Sequence, residues 1–113
     1  MPVKITFSCA IKKGETIFII GENSALGHWN IAEGLRLQGS PIGKATIKLR
    51  DCTKLVFKAC KYSNSNYCWE FSNTALNRTV DISHSVKLEL VFEFDNPNMK
   101  IMVWNNIGKK NEY

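Results

Sequence analysis

The sequence predicts a small all-β protein, an antiparallel β-sandwich, and three observations support this class. Hydrophobic and polar residues alternate along several short segments, which is the period of a half-buried strand. These segments recur at intervals of about 8–12 residues with turn residues between them, as in sandwiches and barrels. No window carries a helical period over about ten residues. With 113 residues, 44% of them hydrophobic, the chain is expected to form one domain.

Local patterns justify each strand in the first half of the chain. The first strand alternates from Val3 to Cys9, so one of its faces is expected to be buried. After a turn at 12–15, β-branched residues favour a second strand. Leucines indicate a short third strand, and alternation returns after the Gly-Ser-Pro turn at 39–41. The strands expected here are 3–9, 16–20, 35–37, 45–49 and 54–60.

Turn residues divide the second half in the same way. The polar run Ser63–Asn66 is expected to be a loop tip, and Asn96–Asn98 to be a hairpin break. Residues 1–105 are assigned to one folded module, and residues 106–113 are expected to be a tail or the start of a linker. The strands expected in this half are 68–70, 77–82, 86–94 and 100–104.

Cysteines and charge limit the expected location and partners. The four cysteines form no C-x-x-C pair, and no apolar segment has the length of a secretory signal or a membrane span. We therefore expect free thiols, a cytoplasmic location, no membrane contact and a monomer. The net charge of +5 permits an acidic partner. Because the basic residues are scattered, nucleic acid is not the expected partner.

Two tryptophans lie in unusual surroundings. Trp29 is flanked by Gly27, His28 and Asn30, and Trp69 follows a polar loop. Tryptophan is costly to expose, and its flat apolar face favours a flat apolar partner. A sugar ring is such a partner. Trp104 alternates with Met102 and is expected to have a core or edge role.

The sequence carries no pattern typical of catalysis or cofactor binding. His28 and His84 lack zinc-site spacing relative to the cysteines. Neither a phosphate-binding loop nor a serine-nucleophile motif is present. Glutamates could supply two carboxylates for glycoside hydrolysis, but surface glutamates are common. We expect no catalytic residue, no metal and no cofactor.

Several short motifs, in their order and spacing, resemble family 20 carbohydrate-binding modules, the starch-binding domains. The resemblance spans roughly residues 3–104. The pieces are fairly specific only in combination. They are Gly14-Glu15-Thr16, Ile19-Ile20-Gly21, Leu26-Gly27-His28-Trp29-Asn30, Phe57-Lys58, Trp69-Glu70 and Asn77-Arg78.

This resemblance implies a non-catalytic sandwich of immunoglobulin-like architecture that binds α-1,4-glucans such as starch or glycogen. Trp29 and Trp69 would form the platform on which glucose units stack. Lys58, Glu70 and Asn77 would hold sugar hydroxyls, with Lys58 donating, Glu70 accepting and Asn77 doing both. The resemblance also implies that the module targets a larger enzyme to its polysaccharide.

The chain departs from the family pattern at two places. The tryptophan usual near Ile42-Gly43-Lys44 is missing, which suggests altered packing. A second glucan site in the family uses a tyrosine before the Gly-Glu turn and another in the loop 38–41. Here Lys13 precedes Gly14 and the loop has no tyrosine. We therefore expect a single site.

Two other functions remain open from the residues. One is a basic β-barrel that stacks bases of single-stranded nucleic acid on its aromatics. It predicts binding that weakens steeply with salt. The other is a protein-interaction sandwich that has lost sugar binding, in which Trp29 and Trp69 would pack against protein.

Overall fold

Two β-sheets form the part of the chain that the computed structural model describes, residues 2–50, 52–71, 75–83, 85–105 and 110–112. Two short 3-10 segments, Ser24–Trp29 and Ile31–Glu33, are the only helical turns within these residues. The all-β prediction is therefore confirmed. The strands are β1 (Val3–Ala10), β2 (Thr16–Gly21), β3 (Leu35–Arg36), β4 (Ile42–Leu49), β5 (Lys54–Ser63), β6 (Asn66–Trp69), β7 (Arg78–Asp81), β8 (Ser85–Phe92), β9 (Met99–Asn105) and β10 (Lys110–Glu112).

The first sheet has the strand order β10-β9-β8-β1-β4. Its neighbours run antiparallel except for β1 and β8, which are parallel. Parallel neighbours need a long connection, and here the whole second sheet lies between β1 and β8 in sequence. The sandwich is thus antiparallel, as predicted, apart from one central pair.

The second sheet has the order β3-β2-β5-β6, and β7 also pairs with β5. The long strand β5 has β2 on one side. On its other side, β7 pairs with Lys54–Phe57 and β6 pairs with Cys60–Ser63. Strand β5 therefore pairs with every other strand of this sheet except the edge strand β3.

The hydrophobic core fills the space between the sheets. Phe7 and Phe92 of the first sheet both contact Phe57 of the second, with ring centroids 5.1 and 5.9 Å apart. Phe7 and Phe57 are fully buried, and burying such a side chain stabilises a fold by roughly 1.5–3 kcal/mol. These aromatics alternate with outward-facing residues, as the period-two pattern predicted.

Several strand boundaries differ from the sequence predictions. Strand β4 begins at Ile42 instead of 45, β5 extends to Ser63 instead of 60, and the other strand ends shift by one or two residues. The loop tip is tighter than expected, because Asn64 and Ser65 both adopt positive φ and form a two-residue turn. Strand β6 consequently begins at Asn66 instead of 68. In the expected tail, residues 110–112 pair with β9, while 106–109 and 113 lie outside the described residues. The domain boundary at residue 105 stays a prediction. None of the helical segments in the described residues has the length or apolar character to cross a membrane.

Candidate functional site

The outer face of the second sheet, which points away from the first sheet, collects most of the predicted site residues. Directly paired residues project to the same face of a sheet. Lys58 on β5 pairs with Ile20, and the next outward residue, Cys60, pairs with both Phe18 and Trp69. Lys58 and Trp69 therefore lie close together on one face.

Asn77 reaches the same region from β7. Arg78 pairs with Phe57, so Asn77 is the next residue out and lies at the level of Lys58. Its side chain is exposed. The structure thus brings Lys58, Trp69 and Asn77 to one end of the sheet.

Trp29 projects from the segment that leaves β2 just after Ile20. This segment packs against β2, and its end, Gly34, lies against the Ile20 side chain. Trp29 keeps 37% of its surface exposed, which is high for a tryptophan in a domain with a well-formed core. It therefore lies beside β2, the strand that pairs with β5, and β5 carries Lys58.

The residues around Trp29 hold it in this exposed position. Leu26 is fully buried and anchors the segment. Gly27 has a φ of 82°, and a Cβ atom there would lie 2.8 Å from the Glu33 backbone, so only glycine fits.

Two side-chain hydrogen bonds also hold this segment. The His28 ring donates from Nδ1 to the Glu22 carbonyl oxygen at 2.8 Å. The Asn30 side chain accepts from the Ala32 backbone N–H at 3.1 Å and begins the second 3-10 segment.

His28 and Trp29 themselves adopt left-handed backbone conformations, with φ of 49° and 65°. Such values are rare for bulky residues and cost roughly 1–3 kcal/mol each. Backbone strain of this kind persists where surrounding contacts enforce it, and it concentrates at binding sites. The strain at Trp29 therefore supports a functional role for its exposed ring.

Lys58 is only 9% exposed although it faces outward. The methylene stem of a lysine can cover apolar surface while its ammonium remains near water. A side chain held in this way has lost much of its freedom before any ligand arrives. Lys58 is thus suited to donate to a bound polar group, and this role stays a prediction.

Glu70 points in the opposite direction to Trp69, because adjacent strand residues alternate between faces. It is fully buried. Its carboxylate accepts from the Ala59 backbone N–H at 2.7 Å and from the Asp95 backbone N–H at 3.2 Å. The prediction that Glu70 accepts from a sugar hydroxyl does not fit this geometry, because protein donors already occupy the carboxylate below the surface.

Arg78 is the main partner of Glu70. Its Nε and Nη2 atoms donate to the two carboxylate oxygens at 2.9 and 2.8 Å. Nη2 also donates to the carbonyl oxygens of Glu93 and Asn96. The guanidinium lies over the ring of Phe92, 4.3 Å from its centroid. This buried ion pair joins β6 and β7 to the connection between β8 and β9, and sequence reasoning missed it.

The structure also locates Trp104 and the four cysteines. Trp104 lies on the outer face of the first sheet, where Lys87 Nζ is 4.6 Å from its ring centroid. All four cysteines are free, as predicted. Burial raises the pKa of the Cys9 and Cys60 thiols to about 11. Within the described residues no cluster of three or more metal-ligating side chains occurs.

The region where a second glucan site would lie has a different character. A shallow cavity of about 210 Å³ is lined by residues 11–16 and 36–40. No aromatic side chain belongs to this lining, so the cavity offers no stacking face. A single site stays our prediction.

Comparisons with known proteins relate this arrangement to one family. The sequence model described as "Starch binding domain" matches residues 2–92. No curated protein matches the chain significantly. Among solved structures, the fold is similar to the family 20 carbohydrate-binding module of a maltotetraose-forming amylase from Pseudomonas saccharophila STB07. That match has 21% identity and a TM-score of 0.57, and covers 79% of this chain and 99% of the other.

The same fold occurs as a small part of larger enzymes. The chain is similar to part of a family 15 glucoamylase from Hypocrea jecorina, with 18% identity and a TM-score of 0.70 over 84% of this chain and 17% of that chain. For a glucoamylase from Hormoconis resinae the identity is 25% and the TM-score 0.68, over 85% and 18%. The chain therefore spans less than one fifth of each of these glucoamylases.

Proposed function

We propose, because the chain belongs to the starch-binding domain family, that it binds α-1,4-glucans through Trp29 and the outer face of the second sheet. The domain is a non-catalytic carbohydrate-binding module. The observation that carries the proposal is the exposed Trp29 ring, 37% accessible on a left-handed backbone that its neighbours enforce.

Stacking on indole rings supplies most of the binding free energy in this proposal. A pyranose ring presents a face of C–H bonds, which buries apolar area against Trp29 and Trp69. Aromatic contacts of this kind contribute about 0.5–1.5 kcal/mol beyond area burial. Two platforms set at an angle suit a curved α-1,4-glucan better than a flat polysaccharide.

Hydrogen bonds around the platform fix the orientation of the sugar. Lys58 donates to a hydroxyl oxygen, and the exposed Asn77 amide both donates and accepts. Glu70 has an indirect role in this proposal. Its ion pair with Arg78 fixes the neighbouring positions 69 and 77, whose side chains contact the sugar. Each neutral hydrogen bond is worth about 0.5–1.5 kcal/mol, less than a tryptophan face with its buried area.

The same proposal includes an attached catalytic domain and a cellular compartment. A module that binds polysaccharide and lacks catalysis holds an attached catalytic domain near its substrate. The glucoamylases above, in which the matching region is under one fifth of the chain, support this arrangement. Free thiols fit a reducing compartment such as the cytoplasm, where glycogen or starch would be the target.

A fluorescence titration tests the proposal. Maltoheptaose should quench or shift the tryptophan emission, with a Kd in roughly the micromolar to millimolar range. The titration is repeated at low and high salt, because binding to nucleic acid weakens steeply with salt and stacking on sugar does not. A silent titration at tens of millimolar sugar would remove the proposal. Binding of single-stranded nucleic acid that falls steeply with salt would favour the alternative.

A further inference from the structure

An aromatic pair beside Trp69 has no part in the site described so far. Tyr62 and Tyr67 face each other across β5 and β6, with ring centroids 4.6 Å apart and planes tilted by 50°. Tyr67 is 55% exposed and Tyr62 is 36% exposed. Aromatic area left open to water in this way marks binding surfaces.

The pair lies on the same face as Trp69. Tyr67 and Trp69 are two residues apart on β6, so their side chains project the same way, about 7 Å apart along the strand. Phe18 on β2, across β5 from Tyr67, contacts the Tyr67 ring with ring centroids 6.3 Å apart. The outer face of the second sheet therefore carries aromatic side chains past Trp69, out to the end of the β5–β6 hairpin.

The hairpin holds both rings in place before a ligand arrives. The turn Asn64–Ser65 has positive φ at both residues, the two-residue geometry that matches strand twist. Pairing continues to the last positions, Ser63 and Asn66. A tyrosine fixed in this way offers large amphipathic area at a small cost in conformational entropy.

We infer that Tyr62 and Tyr67 form an additional subsite, which takes further glucose units of the same glucan chain that stacks on Trp69. This inference rests on the proposed function. A sugar ring has the matching chemistry. Its C–H face can pack on the phenol ring, and its hydroxyls can form hydrogen bonds with the tyrosine hydroxyls and with the amides of Ser63–Asn66. Continuity with Trp69 makes a longer glucan the occupant.

Chain length is the variable that reveals such a subsite. In this proposal maltotriose fills the tryptophan platform, and maltoheptaose is long enough to cover the tyrosine pair as well. In calorimetric titrations, Tyr67→Ala should bind maltoheptaose roughly three- to tenfold more weakly than the unaltered protein and bind maltotriose within about twofold. Tyr67→Phe keeps the flat face and should retain most of the maltoheptaose affinity.

A separate control for stability is needed, because Tyr62 and Tyr67 also cover Phe18 and their removal could weaken the fold. Tyr62→Leu keeps apolar cover but removes the second face, so it should lower maltoheptaose affinity without a large fall in Tm. If folded Tyr67→Ala or Tyr62→Leu binds maltoheptaose like the unaltered protein, the subsite is refuted. If the unaltered protein binds neither sugar, the proposed function itself fails. If it binds both sugars and Trp69→Ala weakens both, while the tyrosine variants change neither, only the subsite fails and the proposed function stands.

Discussion

At the residue scale, strand alternation divides the two short motifs Trp69-Glu70 and Asn77-Arg78 between surface and interior. Trp69 and Asn77 are the outer members, while Glu70 and Arg78 meet beneath them in a buried ion pair with contacts of 2.8 and 2.9 Å. The buried pair therefore fixes the backbone beneath the two residues that we propose contact the glucan. The ion pair between Glu70 and Arg78 thus holds Trp69 and Asn77 in fixed positions on the surface.

This division predicts that Glu70 matters for folding and not for direct contact with sugar. Removing one partner of a buried ion pair costs about 3–5 kcal/mol, so Glu70→Gln and Arg78→Met should each lower the free energy of unfolding strongly. The double variant should cost less than the sum of the two. Urea unfolding measures these values. A Glu70→Gln protein of unchanged stability but weakened glucan affinity would instead place Glu70 in the binding site.

Backbone strain at Trp29 gives a second residue-scale prediction. Its φ of 65° costs a residue with a Cβ about 1–2 kcal/mol, and glycine escapes that cost. Trp29→Gly and Trp29→Ala should both lose glucan binding, since both lack the ring. Thermal unfolding should show Trp29→Gly to be the more stable of the two by about 1 kcal/mol. The reverse order would mean that position 29 is unstrained.

The buried thiols predict how stability depends on pH. Burial raises the pKa of Cys9 and Cys60 from 9.0 to about 11 in the folded protein. The stability that the two neutral, buried thiols contribute is therefore fully present below pH 9.0 and is lost as the pH rises from 9.0 to about 11. Each thiol should reduce the free energy of unfolding by about 1.4 kcal/mol per pH unit in that window.

Unfolding in urea from pH 7 to 11 checks this, with the double variant Cys9→Ala/Cys60→Ala as control. The control should show a flatter profile. Equal slopes in the two proteins would contradict the assignment. Cys68, which is exposed, should react with thiol reagents well before these two.

At the element scale, three lysines lie side by side across the outer face of the first sheet. Lys4 on β1 pairs with Lys48 on β4 and with Lys87 on β8. Like charges directly opposite each other on a sheet are destabilising by up to about 1 kcal/mol per pair. This face therefore opposes folding by charge repulsion, on the side of the sandwich away from the candidate site.

Relieving that repulsion should stabilise the protein. Lys4→Glu replaces two like-charge contacts by two opposite-charge ones and should raise the free energy of unfolding by about 0.5–1 kcal/mol at low salt. Lys44→Glu is the matched control, because Lys44 lies on the same face but pairs with Ser8. It makes the same change in net charge. Equal effects of the two substitutions would show that net charge alone is responsible.

Local pattern predicted the elements better than it predicted their pairing. The alternation from Val3 to Cys9 gave a strand with the correct buried face, because side-chain period depends only on the chain itself. The parallel pairing of β1 with β8 was not foreseen, since it joins strands about eighty residues apart through tertiary contacts. The start of β6 was misplaced because the positive φ of Asn64 and Ser65 makes a turn of only two residues.

At the scale of the whole molecule, the sequence predicted a site region, and the structure shows which of the named side chains face outward and which face inward. Trp29 was singled out by its polar neighbours, and the structure explains those neighbours as anchors and caps. Glu70 was assigned to the sugar because the resemblance to family 20 modules implies that role for the residue after Trp69. Alternation along β6 already implied that Glu70 faces inward, and the buried Arg78 confirms that direction.

The two faces of the sandwich have separate characters. Aromatic side chains lie on the outer face of the second sheet, and the row of lysines lies on the outer face of the first. A groove that stacks bases on aromatics needs basic charge beside them. In this structure the lysine row lies on the opposite side from Trp69, Tyr62 and Tyr67, but Lys87 of that row lies against Trp104. The titration at low and high salt therefore decides between the glucan and single-stranded nucleic acid.

The most direct test of the two-tryptophan site is a calorimetric titration of maltoheptaose into three alanine variants. Trp29→Ala and Trp69→Ala should each bind about tenfold or more weakly than the unaltered protein, from the lost stacking and buried area, while keeping the fold. Trp104→Ala, on the opposite sheet, should lower stability and leave affinity unchanged. If Trp29→Ala and Trp69→Ala unfold, or bind normally, while Trp104→Ala abolishes binding, the site lies elsewhere.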